Sequence, residues 1–411
     1  MFFEIRPDRK SRSPNEKSHG DFMDQTKVLL GKEVEAIAGD LFAVSEYLYQ
    51  NPEVGFQEIK AVEFLGRFLA DRGFQVEKGI GGLKTAFLAR PSDQPSQRPA
   101  FAFLAEYDAL PTVGHGCGHN LIAAASLGAA MALKKVRNKL QGSFAVVGTP
   151  AEEGGGGKIL LAEAGIFSEM DAAMMFHPGR LNLPGEDMIG RVKFKAEFFG
   201  KPAHASVSPD KGVNALDAIV AAYNNIAMLR QQIHPEARIH GIITHGGDAP
   251  NVIPEYTAGM FYVRAASRRY RDEVFQKVTR CIEAGALAAG ATCKIDVGKP
   301  TFDPIRHNAP LEEAARANMM ALGIPIDADD GRRGSSDIGN LSQVLPALHP
   351  SLSIVDPEIP GHSQIFGEAT MSLRGRETLI KAAKLLAMTA YDFLTSPELR
   401  DRIRADFTKG E

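Results

Sequence analysis

Apolar residues recur along the chain first at helical spacing and then in short runs. The spacing from Val34 to Leu48 predicts one long amphipathic helix, which ends before Pro52. Candidate strands then alternate with candidate helices, and this alternation predicts an α/β layer with a largely parallel sheet. The predicted strands are residues 74–76, 85–89, 101–105, 143–148 and 172–176. A helix is predicted before them at 61–71, and helices are predicted between them at 119–135 and 157–164.

The pattern changes at about residue 188 and changes back after Pro300. The intervening elements are predicted in the order βαββαβ, which is the ferredoxin-like or split βαβ unit. They span residues 191–199, 213–232, 238–244, 256–265, 269–289 and 292–297. After them, helices are predicted at about 311–322 and 377–394.

A complete βαββαβ unit in the middle of an α/β chain predicts an inserted domain. We therefore expect residues 189–305 to form this insertion, within a discontinuous catalytic domain built from residues 24–188 and 306–411. The polar first 23 residues carry no apolar periodicity, and we expect residues 1–23 to be a disordered tail.

Charge and cysteine content exclude several classes of protein. The 411 residues carry 47 Lys and Arg against 50 Asp and Glu, a net charge of −3, so no binding of nucleic acid or of an anionic membrane is expected. The most apolar stretch, residues 121–133, is shorter than the about 20 residues of a membrane-spanning helix. Three cysteines, an odd number, predict free thiols in a reducing compartment, the cytoplasm.

The first candidate site for chemistry is the segment HGCGHN at residues 115–120, which precedes the predicted apolar helix. The glycines around Cys117 and His119 let both side chains turn toward one ion. Thiolate and imidazole together suit zinc and also cobalt or manganese. Taken alone, the segment also fits a glycine-rich helix entry with an incidental Cys and His.

Glu152 and Glu153 follow the predicted strand at residues 143–148. Loops at the carboxyl ends of parallel strands are where α/β proteins place their ligands. If both carboxylates are functional, one can bind a metal while the other accepts a proton from water. A phosphate-binding loop is excluded, because its pattern needs Gly at 152 and Ser or Thr at 159, where the chain has Glu152 and Ile159. A solvated acidic turn remains the alternative.

His177 follows the predicted strand at 172–176, and His362 lies in the turn PGHS. Either histidine alone would be an ordinary structural residue. Three strand ends of one sheet, however, would bring Cys117, Glu153 and His177 into one cleft. With His119 and His362 these make five ligands, too many for one tetrahedral ion with an open position and suited to two ions that share a ligand.

Eight ordered motifs resemble those of the dinuclear metallopeptidase and aminoacylase family. They resemble most closely its Cys-containing amidohydrolase branch, which includes aminobenzoyl-glutamate hydrolases, indole-acetyl-amino-acid hydrolases and β-alanyl-lysine-type dipeptidases. The motifs are EYDALP (106–111), HGCGHN (115–120), GTPAEEGGGGK (148–158), FHPG (176–179), GKPAHAS (200–206), NVIP (251–254), GSSD (334–337) and PGHS (360–363).

The resemblance implies a role for each matching residue. The implied metal ligands are Cys117, His119, Glu153, His177 and His362. It further implies that Cys117 bridges the ions, Glu152 is the general base and Asp108 orients the site. His204 would hold the oxyanion from a partner subunit, and Asn251 and Arg264 would contact the substrate. Asn120 and Glu106 depart from patterns found in relatives, which leaves the substrate preference open.

These residues predict a metal-dependent amidohydrolase that cleaves an N-acyl amino acid, an aminobenzoyl-glutamate-like conjugate or a dipeptide. The expected cofactor is a pair of divalent ions, zinc first and manganese or cobalt otherwise. The inserted domain is expected to serve as a lid and as the interface of a homodimer. The alternative is a non-catalytic small-molecule-binding protein that keeps this fold. A nucleobase deaminase is excluded, because the chain lacks the combination of H-x-E with P-C-x-x-C.

Overall fold

The structure, a computed structural model, describes residues 24–409, so the predicted tail of residues 1–23 lies outside the described residues. The helices are α1 Gln25–Ala36, α2 Ala38–Gln50, α3 Ile59–Ala70, α4 His119–Lys135, α5 Gly157–Glu163, α6 Ala215–Leu229, α7 Arg268–Ala289, α8 Ala309–Ala321, α9 Ile338–Leu341, α10 Gln364–Thr370, α11 Leu373–Thr395 and α12 Pro397–Thr408. The strands are β1 Phe74–Lys78, β2 Phe87–Pro91, β3 Ala100–Ala105, β4 Ser143–Gly148, β5 Ala172–Met174, β6 His177–Gly179, β7 Gly190–Phe199, β8 Arg238–His245, β9 Tyr256–Ala265, β10 Thr292–Phe302, β11 Ala347–Leu348 and β12 Ser351–Ser353.

The first sheet is mixed and mostly parallel, which confirms the predicted α/β class. Its strand order is β1-β2-β4-β3-β5-β11, with parallel pairing from β4 to β11 and antiparallel pairing at β1 and β2. Every residue of β3 and β4 is buried, which accounts for their unbroken apolar sequences. Helix α4 is buried from His119 to Leu133 and packs against α2 and α11.

The second sheet is fully antiparallel, in the order β10-β7-β9-β8. Its strands and its two helices follow the chain as β7, α6, β8, β9, α7 and β10. Helices α6 and α7 pack against each other and against this sheet. The buried apolar side chains form two clusters, one from residues 192–286 and a larger one from residues 30–188 and 305–403.

Strand β8 forms one edge of the second sheet and carries exposed apolar side chains. Ile242 is 64% exposed and Ile243 is 43% exposed. An edge strand with unpaired backbone groups and apolar side chains is a surface on which another strand can pair.

Among residues 24–409, no helix has both the length and the apolar character needed to cross a membrane.

Several short elements differ from the sequence prediction. The long N-terminal helix is two helices that meet at Ile37, and β6 pairs in parallel with β12 in a small separate sheet. Helix α10 lies directly after His362 and was not predicted. Elements of two to seven residues are too short to display a hydrophobic period, so only their tertiary contacts reveal them.

Candidate metal centre and active site

The candidate site lies where β3, β4 and β5 end. These three strands are parallel neighbours, so the loops that follow them meet at one edge of the sheet. Asp108 follows β3, Glu152 and Glu153 follow β4, and His177 follows β5. The side chains that the sequence predicted to share a cleft therefore do so.

Cys117 belongs to two groups of potential metal ligands. It lies with His119 and His177 in one group and with Glu153 and His362 in the other, and within each group the ligating atoms are all within 4.8 Å of one another. The Cys117 Sγ is 3.5 Å from His177 Nε2, and His362 Nε2 is 3.2 Å from Glu153 Oε1. All five predicted ligands thus lie close together, and the Cys117 thiol is shared by the two groups.

Hydrogen bonds at the far side of two histidine rings turn the inner nitrogens toward the cluster. His119 Nδ1 lies 2.8 Å from the Asp108 carbonyl oxygen and 3.0 Å from Asp108 Oδ1, and both acceptors require a proton on Nδ1. His177 Nδ1 similarly donates to Pro178 O at 2.8 Å. His119 Nε2 is buried without a hydrogen-bond partner among residues 24–409. Such an orphaned nitrogen, with its tautomer set from behind, fits a metal ligand.

The charges of the cleft also fit divalent cations. Burial, and then the neighbouring Glu153, raise the pKa of the Cys117 thiol. Burial and then Glu106 and Glu153 raise the pKa of Glu152 well above its usual range. Burial opposes the charge of Glu153 too, but the hydrogen bond with His362 and the charges of His119 and His362 together outweigh burial and lower the pKa of Glu153. Carboxylates and a thiol crowded into one buried cleft gain stability from bound cations.

A buried ion-pair network lies behind the ligands, and sequence reasoning missed it. Lys158 Nζ contacts Glu106 Oε1 and lies 2.6 Å from Asp337 Oδ1, and all three side chains are fully buried. Burial opposes the charge of Lys158, but Asp337 and Glu106 outweigh it and raise the pKa of Lys158. Glu106 Oε2 faces His119 Nε2 at 3.4 Å. The network therefore supplies a fixed negative charge beside a candidate ligand.

His349 is a second residue that the sequence did not single out. Its ring is fully buried, lines the cavity and lies 5.3 Å from the His177 ring, measured between centroids. Burial lowers the pKa of His349 well below its usual range, so the ring is neutral. His349 lies between β11 and β12, directly after the end of β11. Its position at a strand end was the only sequence signal that could have indicated a functional residue.

The segment from Glu53 to Glu58 holds the loop that carries Glu152. Ala151 has a positive φ of 57°, which is costly for a residue with a side chain. Its N–H donates to Glu58 Oε1 at 2.8 Å, and a Cβ at Gly55 would lie 2.8 Å from the Ala151 Cβ. Only glycine at 55 permits this close approach. The same segment provides an acceptor for the loop after β3, since Ala109 N–H bonds Glu53 O at 2.8 Å.

A cavity of about 1050 Å³ connects the ligand cluster with the second sheet. Arg264 lines it from β9, and its Nη1 donates to Ser335 Oγ at 2.9 Å. His204 and Asn251 lie outside this cavity and are exposed. They are close to each other, because Ala205 N–H donates to Asn251 O at 2.9 Å and His204 bridges to Val252. Within one described chain, the structure does not bring these two residues to the cluster.

The cleft at the parallel strand ends contains five nitrogen, oxygen and sulfur donors beside a second carboxylate. This is the set of groups that a metal-dependent hydrolase needs. Comparison with known proteins agrees. Residues 102–365 match peptidase family M20/M25/M40. The chain belongs to this family and is a hydrolase of amide bonds.

Individual relatives extend this likeness over most of the chain. The Xaa-Arg dipeptidase of Homo sapiens is 37% identical over 396 residues, which cover 91% of this chain and 90% of that protein. One chain of the p-aminobenzoyl-glutamate hydrolase of Escherichia coli is 31% identical, and the match covers 69% of this chain and 62% of that one. A dinuclear metal-binding M20 peptidase from Bacillus subtilis has a similar fold, with a TM-score of 0.69 at 22% identity over 87% of this chain and 99% of that one.

Glu58 makes the stability of the protein depend on pH. Burial raises the pKa of Glu58 from 4.5 to about 7. The folded protein therefore holds a proton that the unfolded chain releases, and stability falls as pH rises from 4.5 to 7. Glu58→Gln keeps an oxygen that accepts from Ala151 N–H. Because Gln does not titrate, it removes the loss of stability that Glu58 causes as the pH rises. We expect its free energy of unfolding, relative to wild type, to be roughly 3 kcal/mol higher at pH 7.5 than at pH 4.5.

Urea unfolding of wild type and Glu58→Gln at the two pH values measures this difference. The exposed Glu163→Gln is the matched control and should follow wild type at both pH values. A Glu58→Gln effect that is the same at pH 4.5 and at pH 7.5 would show that the Glu58 carboxyl does not titrate in this range.

Proposed function

We propose that the protein hydrolyses the amide bond of an N-acyl amino acid, an aminobenzoyl-glutamate-like conjugate or a dipeptide. The observation that carries the proposal is Cys117 between two ligand groups, with Glu152 directly beside them. The activities for which the human and Escherichia coli relatives are named, a dipeptidase and an aminobenzoyl-glutamate hydrolase, support this substrate range.

In this proposal Cys117, His119, Glu153, His177 and His362 would hold two divalent ions, with Cys117 belonging to both ligand groups. Zinc is the first choice, because thiolate and imidazole are its preferred ligands, with manganese or cobalt as alternatives. Such ions would supply Lewis acidity, which lowers the pKa of water toward about 7. Asp108 keeps His119 in the tautomer and orientation that ligation requires.

Glu152 is the proposed general base. Its Oε2 lies 4.0 Å from His119 Nε2 at the edge of the ligand cluster, and it lines the cavity in which a substrate would lie. Glu152 takes a proton from the attacking water as the oxygen bonds to the amide carbon. It then gives this proton to the leaving nitrogen as the C–N bond breaks. A carboxyl whose surroundings favour its protonated form is suited to hold the proton between these two steps.

His204 is proposed to stabilise the oxyanion, and Asn251 and Arg264 to contact the substrate. Because His204 and Asn251 are exposed and outside the cavity of their own chain, we propose that they act in the site of a partner subunit. A homodimer through the second sheet would allow this. The edge strand β8, with exposed Ile242 and Ile243, supports the choice of surface.

We also propose the domain division expected from the sequence. Residues 24–188 and 306–411 would form the catalytic domain, and residues 189–305 a ferredoxin-like lid and dimerisation domain. The separate apolar cluster of residues 192–286 supports this division. Three unpaired thiols support a reducing compartment, the cytoplasm.

A substrate panel with metal exchange tests the function. We expect a chelator to abolish hydrolysis of at least one compound among N-acyl amino acids, aminobenzoyl-glutamate and dipeptides, and zinc, manganese or cobalt to restore it. Product amine is measured for protein reloaded with each ion separately. Binding of these compounds without turnover under any ion would instead favour the non-catalytic binding protein.

Glu152→Ala and Glu153→Ala separate the base from the ligand. Glu152→Ala should keep its metal and lose at least about a hundredfold in kcat, because only proton transfer is removed. Glu153→Ala should lose metal as well as activity. Metal content by atomic absorption and kcat from the same preparations distinguish the two, with the exposed Glu163→Ala as control. Near-normal turnover of Glu152→Ala would contradict its assignment.

Mixed dimers test whether His204 acts across subunits. His204→Ala and Glu152→Ala are each expected to be inactive when pure. A mixed dimer has one site with both residues intact if His204 crosses the interface, so subunit exchange should restore up to about a quarter of wild-type activity. No recovery after verified exchange would place His204 in the site of its own chain. Each variant incubated with itself is the control.

A further inference from the structure

Two polar side chains on the wall of the cavity have no role in the proposed mechanism. Glu186 and His349 both line the cavity that contains Glu152 and the ligand cluster. Glu186 N–H donates to His349 O at 2.9 Å, so the backbone holds the two residues side by side. Leu183 and Ser351 extend this contact with two further backbone hydrogen bonds of 2.9 Å. The subsite that these residues form is therefore in place before a ligand binds, which reduces the ordering that binding requires.

The Glu186 carboxylate has no positively charged partner in the described chain. Among residues 24–409, no Lys or Arg nitrogen lies within 4.0 Å of its oxygens, and His349 Nδ1 lies 3.6 Å away, beyond hydrogen-bond distance. The side chain is 31% exposed, so it is accessible from the cavity. Burial of the rest raises the pKa of Glu186 to about 7. The charged carboxylate is therefore poorly solvated, and a nearby cation would stabilise it.

His349 offers a second acceptor beside Glu186. Its side chain is fully buried, and neither ring nitrogen has a hydrogen-bond partner among residues 24–409. A neutral imidazole carries a lone pair on one nitrogen, which can accept a hydrogen bond. A buried polar group without a partner costs stability until a ligand or a water molecule satisfies it. The two side chains together suit a single group that donates several hydrogen bonds.

The other acids that line the cavity outside the ligand cluster differ from Glu186. Asp187 Oδ2 lies 2.7 Å from Arg333 Nε, and Asp187 Oδ1 lies 3.3 Å from His307 Nε2. Glu236 is 54% exposed and so remains largely in solvent. Glu186 instead combines partial burial with the lack of a partner in the described chain.

We infer that Glu186 and His349 form a subsite for a positively charged group of the substrate, an ammonium or a guanidinium. This inference rests on the proposed function, and it names a substrate feature that the motif residues leave open. An ammonium has three N–H donors and no acceptor, so it can donate to the carboxylate and to the imidazole at once. Hydrogen bonds of this charge-assisted kind are roughly twice as strong as neutral ones. The subsite lies close to the ligand cluster, since the His349 and His177 rings are 5.3 Å apart.

A less specific role for Glu186 would be to add negative charge to the cavity, which attracts any cationic substrate from a distance. Glu236 lines the same cavity, and Glu236→Gln removes the same charge. It is therefore the matched control. A contact subsite predicts that only Glu186→Gln changes the preference for cationic substrates, whereas general attraction predicts similar losses from both variants.

The experiment compares pairs of substrates that differ only in the cationic group. Acetyl-lysine against acetyl-norleucine tests an ammonium on the amine side of the amide, and glycyl-leucine against acetyl-leucine tests one on the acyl side. Glu186→Gln should lower kcat/KM by about 10- to 100-fold for the cationic member of one pair and leave the neutral member within about threefold of wild type. Glu186→Asp should recover part of this loss, because it keeps the charge on a shorter side chain.

An equal loss on the cationic and neutral members of both pairs would overturn the inference, and so would an unchanged preference or a similar loss in Glu236→Gln. Metal content and the unfolding midpoint of each variant show whether it is folded and loaded. If wild type hydrolyses none of the compounds, the proposed function fails, and calorimetric binding of the same pairs then tests the subsite. Equal affinity of wild type for the two members of each pair would overturn the inference in that case.

Discussion

The parallel pairing of β3, β4 and β5 is the constraint on which the site depends. Parallel strands run in one direction, so the loops that follow them must meet at one edge of the sheet. The residues in those loops are far apart in the chain but close in space. Strands β3 and β4, which precede two of these loops, are fully buried and paired with each other, so the ends from which the loops begin are held in place.

Such a cluster is costly, and the surrounding structure offsets the cost in stages. Lys158 neutralises part of the charge of Glu106 and Asp337 in a fully buried network. Because Lys158 is in α5 and Asp337 lies directly before α9, the network also connects these two helices. Removing one partner would leave a buried charge without compensation. Glu58 holds the strained backbone at Ala151. Bound cations would compensate the charge that these contacts leave.

The sequence predicted which of these side chains lie together, because motifs at strand ends carry both a position and a chemical type. Cys117, Glu153 and His177 could be placed in one cleft in this way, whereas His362 lies in the turn PGHS and was added by its residue type. The Lys158 network could not, since the GSSD motif shows Asp337 but nothing in a sequence shows which charges are paired. The break at Ile37 was missed because both helices keep the same apolar spacing across it. Arg191 on β7, which lines the cavity, was missed because a single Arg in an alternating strand is indistinguishable from a solvated one.

The near-neutral net charge conceals a strong separation of charge within one cavity. Acids and a thiol lie at the strand ends of the first sheet, and guanidinium groups lie on the face of the second. These charges do not neutralise each other by contact, since neither Arg191 nor Arg264 has a carboxylate within 4.0 Å among residues 24–409. Both sides therefore keep their capacity for a ligand. The cavity therefore offers groups that attract cations on one wall and groups that attract anions on the other, and a ligand with a polar group at each end is complementary to both at once.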